Sequence, residues 1–230
     1  MSEKKRYLVV GSKPWNKGVF DETIIKYPGD WYFIGTKSNL TCERVKLIDP
    51  RYIFFLHWSW KIPTEVIDCF ECVCFHMTDV PYGRGGSPLQ NLIIRDHRKT
   101  KLTALRMTEE FDAGPVYLKE ALSLEGNAEE IYIRSSELAA GMIKTIISKE
   151  PEPSPQAGEP VLFKRRKPEE SKIPPLPSLL KIYDFIRMLD AEEYPRAFLE
   201  HEGFQYSFRR ANLYDGKVIA DVVITQLSDK

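Results

Sequence analysis

The sequence has few cysteines, no excess charge of either sign and no long apolar run. Its 230 residues include four cysteines, too few and too clustered for the disulfide framework of a small secreted protein. Lys plus Arg and Asp plus Glu number 33 each, so no net charge draws the chain to nucleic acid or to a membrane. No apolar stretch approaches the roughly 20 residues that span a bilayer, and the charged start Met1–Arg6 is unlike a secretory signal. We therefore expect a cytoplasmic protein with no membrane partner and no nucleic-acid partner.

Two polar segments of the sequence each have the features of half an active site. His76 lies at the start of the Gly-rich segment Phe75–Asn91, and Asp112, 36 positions further on, lies in the polar segment Met107–Gly114. A histidine at the end of a strand can polarise a carbonyl group, and a nearby carboxylate can orient the ring or accept a proton. Taken alone, His76 could equally be a polar residue at the end of a strand that only makes local hydrogen bonds, and Asp112 could be an ordinary turn residue. Together they predict a catalytic pair.

Short apolar runs alternate with helical patterns over the first two-thirds of the chain. Such runs are typical of buried parallel strands, and we predict strands at 7–11, 31–35, 52–57, 72–76, 102–107, 116–124 and 161–163. Helices are predicted at 64–70, 87–94, 128–149 and 178–189. The alternation predicts an α/β fold with a Rossmann-like, open, mostly parallel sheet. Ser12, Trp58 and His76 would then lie beyond the carboxyl ends of strands, where such sheets bind ligands.

Two proline-rich segments, Glu150–Pro155 and Ile173–Pro177, interrupt this pattern. We predict a catalytic core over residues 1–172 and a small C-terminal α+β subdomain over residues 173–230, with antiparallel strands around the turn Tyr214–Lys217. The basic run Lys164–Lys167 lies between the two segments. It is either a solvated loop or a contact for an anionic ligand.

The clustered cysteines raise two alternatives to the His76–Asp112 pair. On a strand, Cys72, Cys74 and His76 would point to one face, and with Cys69 they suggest a zinc-binding regulatory protein. A second pair of ligands from a distant segment is missing, so we predict no metal. Cys74 could instead be a nucleophile, which needs a base within hydrogen-bond reach. Because His76 would lie about 6–7 Å along the strand at Cα, a reduced, buried thiol is the favoured interpretation.

Several motifs occur in an order that is found in one enzyme family. They are His76 with its loop through Gly86, the triplet Asp112–Gly114, and the segment Arg165–Ser171, which is similar to an R-R-x-P-E-D-S stretch. Over residues 7–172 the chain resembles the folate-dependent formyltransferases, which include glycinamide ribonucleotide, methionyl-tRNA and amino-sugar N-formyltransferases. It departs from their pattern at Cys74, where the family usually has asparagine.

The resemblance implies transfer of a formyl group from 10-formyltetrahydrofolate to an amine. His76 would donate to the oxygen that gains charge when the amine attacks the formyl carbon. Asp112 would hold the imidazole and help to move the amine's proton to the folate nitrogen. In the family the asparagine amide also contacts the formyl oxygen, and the Cys74 thiol is a poorer donor. Asn91 or a backbone amide of the Gly-rich loop is the candidate to replace it.

The resemblance also implies two binding sites beside this pair. The pterin pocket would be formed by Trp58, Ser59, Trp60, Arg106, Met107, Glu109, Glu110 and Phe111. An apolar slot with polar groups at its edge suits a flat pterin, and plain core packing is the alternative for the tryptophans. Ser12 and Lys13 would hold a substrate phosphate after the first strand, with an ordinary βα turn as the alternative. Tyr82 and Arg84 are further substrate candidates.

The acceptor amine is predicted from the C-terminal segment. A tRNA formyltransferase would be expected to need a further nucleic-acid domain of about a hundred residues and a basic surface. The short tail around residues 182–195 is instead similar to small amino-sugar N-formyltransferases and to formylation domains of peptide synthetases. We therefore predict a nucleotide-linked amino sugar as the small-molecule substrate, for example a nonulosonic acid of polysaccharide biosynthesis. An aminoacyl group on tRNA or on a carrier protein, a catalytically degenerate folate- or sugar-binding module, and a homodimer through an apolar tail strand are left open.

Overall fold

The computed structural model of the chain describes residues 4–227. These residues divide into two compact units whose segments interleave along the sequence. The first comprises 4–85, 100–122 and 132–162, and the second comprises 86–99, 123–131 and 163–227. The division into a catalytic core over 1–172 and a subdomain over 173–230 stays a prediction. No helix within residues 4–227 is long and apolar enough to cross a membrane.

The order of strands and helices is that of an α/β protein. The strands are β1 (Arg6–Gly11), β2 (Asp30–Ile34), β3 (Tyr52–Leu56), β4 (Cys72–His76), β5 (Tyr82–Gly85), β6 (Lys99–Arg106), β7 (Val116–Ser123), β8 (Val161–Phe163), β9 (Ala197–His201), β10 (Phe204–Tyr214) and β11 (Lys217–Gln226). The helices are α1 (Pro14–Glu22), α2 (Cys42–Ile48), α3 (Thr64–Cys69), α4 (Pro88–Ile94), α5 (Ala128–Lys149) and α6 (Leu179–Arg187). A six-stranded sheet has the order β2-β1-β3-β4-β6-β7. β1 to β4 pair in parallel and β6 is antiparallel to β4, so the predicted fold class is confirmed.

Alternation along the central strands gives the sheet two faces, and one of them supports the predicted site. This face, here called the His76 face, includes an apolar cluster formed by Leu8, Val10, Ile53, Phe55 and Cys72 together with side chains of α2 and α3. Because side chains alternate along a strand, Cys74 and His76 project from the same face as Cys72. Trp58, Cys74 and Met107 are partly buried and pack against the cluster. Each fully buried aliphatic side chain stabilises this platform by about 1.5–3 kcal/mol.

The Gly-rich segment, for which the sequence predicts a loop, contains β5. This strand forms a two-stranded sheet with β8, and just before it the Val161 amide donates to the Pro81 carbonyl at 3.0 Å. Gly83 and Gly85 have φ values of 79° and 102°, which glycine adopts without steric cost. A four-residue strand with two such glycines has no apolar alternation, so the sequence pattern could not indicate it.

A charged network closes the amino end of β4. Glu71, the residue before β4, accepts a hydrogen bond from Arg106 at 2.5 Å and one from Tyr117 at 2.5 Å, and it also pairs with Arg51. Burial alone would raise the pKa of Glu71, but these hydrogen bonds from Arg51, Tyr117 and Arg106 outweigh it and lower the pKa to about 2. The network therefore holds Glu71 in its charged form and ties β3, β6 and β7 to β4.

We expect Glu71→Gln to lower the free energy of unfolding at pH 7 by about 1–3 kcal/mol. The pKa of Glu71 in the folded chain lies below the value of about 4.3 in an unfolded chain. Its contribution is therefore complete above about pH 4.3 and is lost as the pH falls toward 2. Chemical denaturation between pH 7 and pH 2.5 should show the wild type converging on the variant. Glu65→Gln, at an exposed position on α3, is the control, and an equal loss in both variants would contradict the prediction.

In the second unit, α6 contributes a buried carboxylate with a full set of partners. Ser178 caps the helix by accepting from the Lys181 amide at 3.3 Å. Asp184 is 3% exposed and accepts from both terminal nitrogens of Arg98, at 3.0 and 3.1 Å, and from Arg187 at 2.6 Å. Such pairing offsets the cost of removing a carboxylate from water.

The three-stranded sheet of the second unit has the order β11-β10-β9 and is antiparallel, as predicted for the segment around Tyr214–Lys217. β11 is an edge strand with several exposed apolar side chains, namely Ile219, Val222, Val223 and Ile224. An exposed apolar edge can pair with another strand. A homodimer through this edge stays a prediction.

Candidate active site

The fold brings together the two residues that the sequence singles out. His76 ends β4 and is 8% exposed, and Asp112 lies in the loop between β6 and β7. The His76 Nδ1 and Asp112 Oδ1 atoms are 3.5 Å apart. Asp112 has a φ of 54°, a left-handed conformation that aspartate tolerates better than most residues. The loop conformation therefore presents a carboxylate to the imidazole, at a distance that a bound reactant can shorten.

Backbone contacts determine which nitrogen of His76 faces Asp112. The Nε2 atom lies 2.8 Å from the Gly83 carbonyl oxygen, which can only accept, so Nε2 carries a proton and donates it. The Thr78 hydroxyl donates to the same carbonyl at 3.3 Å. In the neutral ring Nδ1 is therefore an unprotonated acceptor beside the carboxylate. A proton that arrives at Nδ1 makes an imidazolium whose charge Asp112 stabilises.

A set of hydrogen bonds holds Asp112 in place. The Gly85 amide donates to Asp112 Oδ2 at 3.0 Å. Gln156 Nε2 donates to the carbonyls of Asp112 and Gly114, both at 2.8 Å, and its Oε1 accepts from Arg84 Nε at 3.0 Å. Gln156 was not predicted from the sequence, because it lies in a proline-rich connection without a motif. Arg84, predicted as a substrate contact, is here part of this support.

Gly114 permits the close return of the Asp112 loop. A Cβ atom at this position would lie 1.9 Å from the Arg106 carbonyl oxygen, a backbone atom that cannot move without shifting β6. The Asp-x-Gly spacing therefore has a steric reason as well as a chemical one.

We expect Gly114→Ala to lower the free energy of unfolding by about 1–3 kcal/mol and to reduce kcat/KM at least tenfold, since the loop that holds Asp112 must move. Thermal unfolding and turnover measure the two effects. Gly141→Ala on α5 is the control, because apart from its two chain neighbours and its own helix backbone no atom of residues 4–227 lies within 4 Å of the place a methyl group would take. Alanine there should stabilise the helix by about 0.5–1 kcal/mol. Unchanged turnover in Gly114→Ala would contradict the steric argument.

Cys74 lies on the His76 face but is not prepared to react. Burial raises the pKa of the Cys74 thiol well above its usual value, and the charge of Asp112 raises it further. The nucleophile in thiol chemistry is the thiolate, so the nucleophile alternative has no physical support here. Within residues 4–227, no group of three or more His, Cys, Asp or Glu side chains is arranged to hold a metal ion, and Cys69 is exposed while Cys72 is buried.

We expect Cys74→Ala to keep kcat/KM within about threefold of the wild type, because a neutral thiol is a weak hydrogen-bond donor. The measurement is steady-state turnover beside a thermal unfolding curve that reports any loss of packing. A loss of a hundredfold or more in a folded variant would restore the nucleophile alternative.

Asn91 cannot take the place of the family's asparagine amide. Its Nδ2 donates to the carbonyls of Gly86, Ser87 and Lys164 at 3.0–3.1 Å, and its Oδ1 accepts from Arg95 at 2.9 Å. The two amide protons are therefore committed to backbone carbonyls. Asn91 is a structural residue of the second unit.

Two tryptophans of the predicted pterin-binding segments form an aromatic pair, and one of them, Trp58, packs on the apolar cluster of the His76 face. Trp58 and Trp60 pack edge to face with their ring centres 4.8 Å apart, and Trp60 and Phe111 are 41% and 74% exposed. The buried Nε1 of Trp58 has no hydrogen-bond partner among residues 4–227. An orphaned donor beside exposed aromatic rings fits a flat heteroaromatic ligand with acceptor atoms at its edge.

The other predicted binding residues lie in several places. The Arg106 guanidinium binds Glu71, which lies five residues before His76, roughly 16 Å away along β4. Only the backbone of Arg106 therefore adjoins the predicted pocket segment. Met107 packs on the apolar cluster, and Glu110 lies 3.5 Å from Arg84. The remaining predicted residues are placed as follows: Ser12 and Lys13 between β1 and α1, Tyr82 in β5, and Ser59 and Glu109 at exposed loop positions.

A second group of side chains at the ends of β1 and β3 was not predicted. Trp15, Tyr132 and His57 pack together, with the Trp15 and Tyr132 rings stacked at 5.8 Å and the His57 ring 4.4 Å from Tyr132. Burial, aided by the charge of Lys13, lowers the pKa of His57 to about 4. Its imidazole is therefore neutral at pH 7. Tyr132 comes from the amphipathic helix α5, whose sequence pattern indicates only packing.

The comparisons with known proteins point in one direction. A family model for the C-terminal domain of methionyl-tRNA formyltransferase matches residues 168–225. A solved structure of a methionyl-tRNA formyltransferase from Clostridium thermocellum is 47% identical, with a TM-score of 0.92, and the match covers 96% of this chain and 99% of that one. A methionyl-tRNA formyltransferase of Thermodesulfovibrio yellowstonii is 27% identical over 159 residues, which are 66% of this chain and 52% of that protein. The chain thus spans about half the length of the curated relatives it matches.

These findings correct the predicted acceptor. A 4-N formyltransferase from Francisella tularensis is 16% identical, with a TM-score of 0.66 over 98% of this chain, a level of similarity that shows the fold alone. The protein to which this chain is 47% identical is instead a methionyl-tRNA formyltransferase. The predictions of an amino-sugar substrate and of no nucleic-acid partner are therefore wrong. The prediction failed for a physical reason. Net charge describes the whole surface, whereas RNA is bound by a local basic patch. The length of the chain was also a poor guide, because the match covers 99% of the solved methionyl-tRNA formyltransferase, which is therefore of similar size.

Proposed function

Since this chain belongs to the formyltransferase family, we propose that it transfers a formyl group to the amine of an aminoacyl group on a tRNA. The observation that carries this proposal is the pairing of His76 with Asp112 at the end of β4, 3.5 Å apart, in a chain 47% identical to a methionyl-tRNA formyltransferase. The name of this relative gives methionyl-tRNA as its acceptor. Methionyl-tRNA is therefore the acceptor to be tested first.

Formyltransferases of this family use 10-formyltetrahydrofolate, which supplies the formyl group at an electrophilic carbon. The residues that would hold it are the aromatic pair Trp58 and Trp60 with the segment Met107–Phe111. The buried Nε1 of Trp58 has no hydrogen-bond partner within residues 4–227. It is the donor that would bind an acceptor atom of the pterin. Exposed aromatic surface at Trp60 would be covered by the ligand, and this burial would add to the affinity.

Proton transfer in the proposed reaction is the work of His76. With Nε2–H held by Gly83, Nδ1 is free of a proton and can accept one from the attacking amine. The imidazolium that results is stabilised by Asp112 and can donate from Nδ1 to the oxygen that gains negative charge or to the departing folate nitrogen. The amine loses one proton and the folate nitrogen gains one, so the pair begins and ends the cycle in the same state.

A basic run in the second unit supports a nucleic-acid partner. Residues 164–167 are Lys-Arg-Arg-Lys. They follow β8 directly and lie at the start of the last segment of the second unit, which begins at Phe163. Lysine and arginine contacts to phosphate make affinity fall with salt, by a slope of about 0.7–0.9 per contact on logarithmic axes. Lys164, Arg165 and Lys167 are exposed and would form the local basic patch, whereas Arg166 packs over the Phe185 ring and donates to the Glu170 carbonyl.

The test is transfer of a labelled formyl group from 10-formyltetrahydrofolate to methionyl-tRNA by the purified protein. We expect product on methionyl-tRNA and none on the uncharged tRNA or on free methionine. A panel of aminoacyl carrier proteins runs beside it. Transfer to a carrier protein alone would replace the tRNA by that acceptor, and binding of the folate without transfer to any acceptor would show a degenerate module, which would overturn the proposal.

A further inference from the structure

Gln156 lies in the proline-rich connection between α5 and β8, and the backbone is anchored on both sides of it. Two residues earlier, Ser154 and Val116 exchange two backbone hydrogen bonds, at 2.8 and 2.9 Å. Five residues later, the Val161 amide donates to the Pro81 carbonyl at 3.0 Å. The prolines of the connection restrict its φ angles further. The Gln156 side chain is therefore presented from a backbone that has little freedom left to lose.

The hydrogen-bond partners of Gln156 fix the orientation of its amide group. Nε2 donates to the carbonyls of Asp112 and Gly114, both at 2.8 Å, and Oε1 accepts from Arg84 Nε at 3.0 Å. Turning the amide over would place its oxygen against two carbonyl oxygens and its NH2 group against a guanidinium, which has no acceptor. Both amide protons are thus used on the Asp112 loop, and one side chain spans the turn from Asp112 to Gly114.

The turn that carries Asp112 depends on this support. Asp112 has a φ of 54°, and a left-handed residue other than glycine keeps its conformation only where the surroundings fix it. Inside the turn, the Ala113 amide lies 3.5 Å from the Glu110 carbonyl oxygen, beyond the usual range of about 2.7–3.2 Å. The two hydrogen bonds from Gln156 are shorter and hold the carbonyls on both sides of Ala113. They therefore help to fix the backbone from which the Asp112 carboxylate reaches His76, 3.5 Å away.

We propose that Gln156 is a positioning residue for formyl transfer and that it acts on the reaction through Asp112. This inference rests on the proposed function. Gln156 holds the turn so that the carboxylate stays beside the imidazole of His76, and Arg84 holds the amide in the orientation that this needs. A displacement of about 1 Å in a catalytic group can reduce a rate by about a hundredfold. The neutral amide of Gln156 neither gains nor loses a proton in the cycle.

Gln156→Leu removes the three hydrogen bonds and keeps a side chain of similar size. We expect the rate of a single turnover, with labelled 10-formyltetrahydrofolate and methionyl-tRNA, to fall about 10–100-fold. The KM values for both substrates should stay within about threefold of the wild type, because the residue acts on the transition state. Gln156→Glu keeps an oxygen for Arg84 but has no amide protons for the two carbonyls, so we expect a loss of at least about tenfold there too.

The matched control is Gln90→Leu in the second unit. The buried amide of Gln90 also donates to a backbone carbonyl, that of Met188, at 2.9 Å. Its loss should lower the melting temperature by about 2–6 °C, as in Gln156→Leu, and should leave the rate of the folded protein within about twofold of the wild type. A general loss of stability is thereby separated from a loss of positioning.

A double-mutant cycle with Asp112→Asn tests whether Gln156 acts through the carboxylate. Asparagine keeps the backbone carbonyl that Gln156 holds and removes the charge. In that background Gln156→Leu should lower the single-turnover rate less than about twofold further, while the melting temperature should fall equally in both backgrounds. Rate losses that multiply in the double variant, or a wild-type rate in Gln156→Leu or Gln156→Glu, would overturn this inference and leave the proposed function standing. A wild-type protein that transfers no formyl group to methionyl-tRNA would overturn both.

Discussion

His76→Ala is expected to lower kcat/KM for formyl transfer by about three orders of magnitude. The variant removes the imidazole that lies between the Gly83 carbonyl, at 2.8 Å, and the Asp112 carboxylate, at 3.5 Å. Positioned proton transfer contributes about 10²–10⁴-fold, and the loss of one donor to a developing oxyanion costs about 10²–10³-fold. Saturation kinetics with 10-formyltetrahydrofolate and methionyl-tRNA measure the effect. The loss should fall on kcat more than on KM, because His76 acts on the transition state.

The control for this variant is His201→Ala, since the side chain of His201 is 68% exposed on the second unit's sheet. We expect that variant to match the wild type within about twofold. His76→Ala should also lose about 0.5–1.5 kcal/mol of stability with its hydrogen bond to Gly83, a change too small to unfold the protein. A folded His76→Ala protein with more than a tenth of wild-type activity would exclude His76 from the chemistry.

Asp112→Asn is expected to reduce kcat by about 10²–10⁴-fold while the fold is retained. Asparagine has the shape of aspartate, and its oxygen can still accept from the Gly85 amide, which donates to Asp112 at 3.0 Å. The amide carries no charge, so it cannot stabilise an imidazolium at His76. A left-handed φ of 54° is also tolerated by asparagine. The hydrogen bond from Gln156 Nε2 goes to the backbone carbonyl of Asp112, so it should persist when the side chain of residue 112 is changed.

The matched control is Asp215→Asn, at the exposed turn between β10 and β11. We expect no change in turnover there. If Asp112→Asn turns over as fast as the wild type, Asp112 positions the loop and takes no part in proton transfer.

The elements that the sequence predicted well are those whose pattern follows directly from burial. Runs such as Tyr7–Gly11 and Tyr52–Leu56 are apolar throughout because both faces of a parallel sheet are covered. β5 was missed because Gly83 and Gly85 give no alternation. Local composition thus predicts the central sheet and overlooks strands whose conformation depends on glycine.

The site shows a similar division. His76 and Asp112 could be predicted because each belongs to a short motif, although their 3.5 Å separation depends on the loop between β6 and β7. Gln156 and Tyr132 could not be predicted, since one lies in a proline-rich connection and the other has the spacing of an ordinary amphipathic helix. The roles of the residues in the pterin segments and at Ser12 and Lys13 stay predictions. The acceptor was predicted wrongly because overall charge and length do not report a local surface.

The interleaving of the two units has a consequence for the synthesis of the protein on the ribosome. Residues 86–99 and 123–131 belong to the second unit, yet they are translated long before its other members. Until α6 emerges, Gln90 lacks the Met188 carbonyl to which it donates at 2.9 Å, and Arg98 lacks Asp184. Release of a fragment that ends near residue 172 would leave those side chains without these partners, so such fragments should express less well than the whole chain. The nascent chain must remain in a partly assembled state, exposed to chaperones and proteases, until α6 and Met188 have been translated.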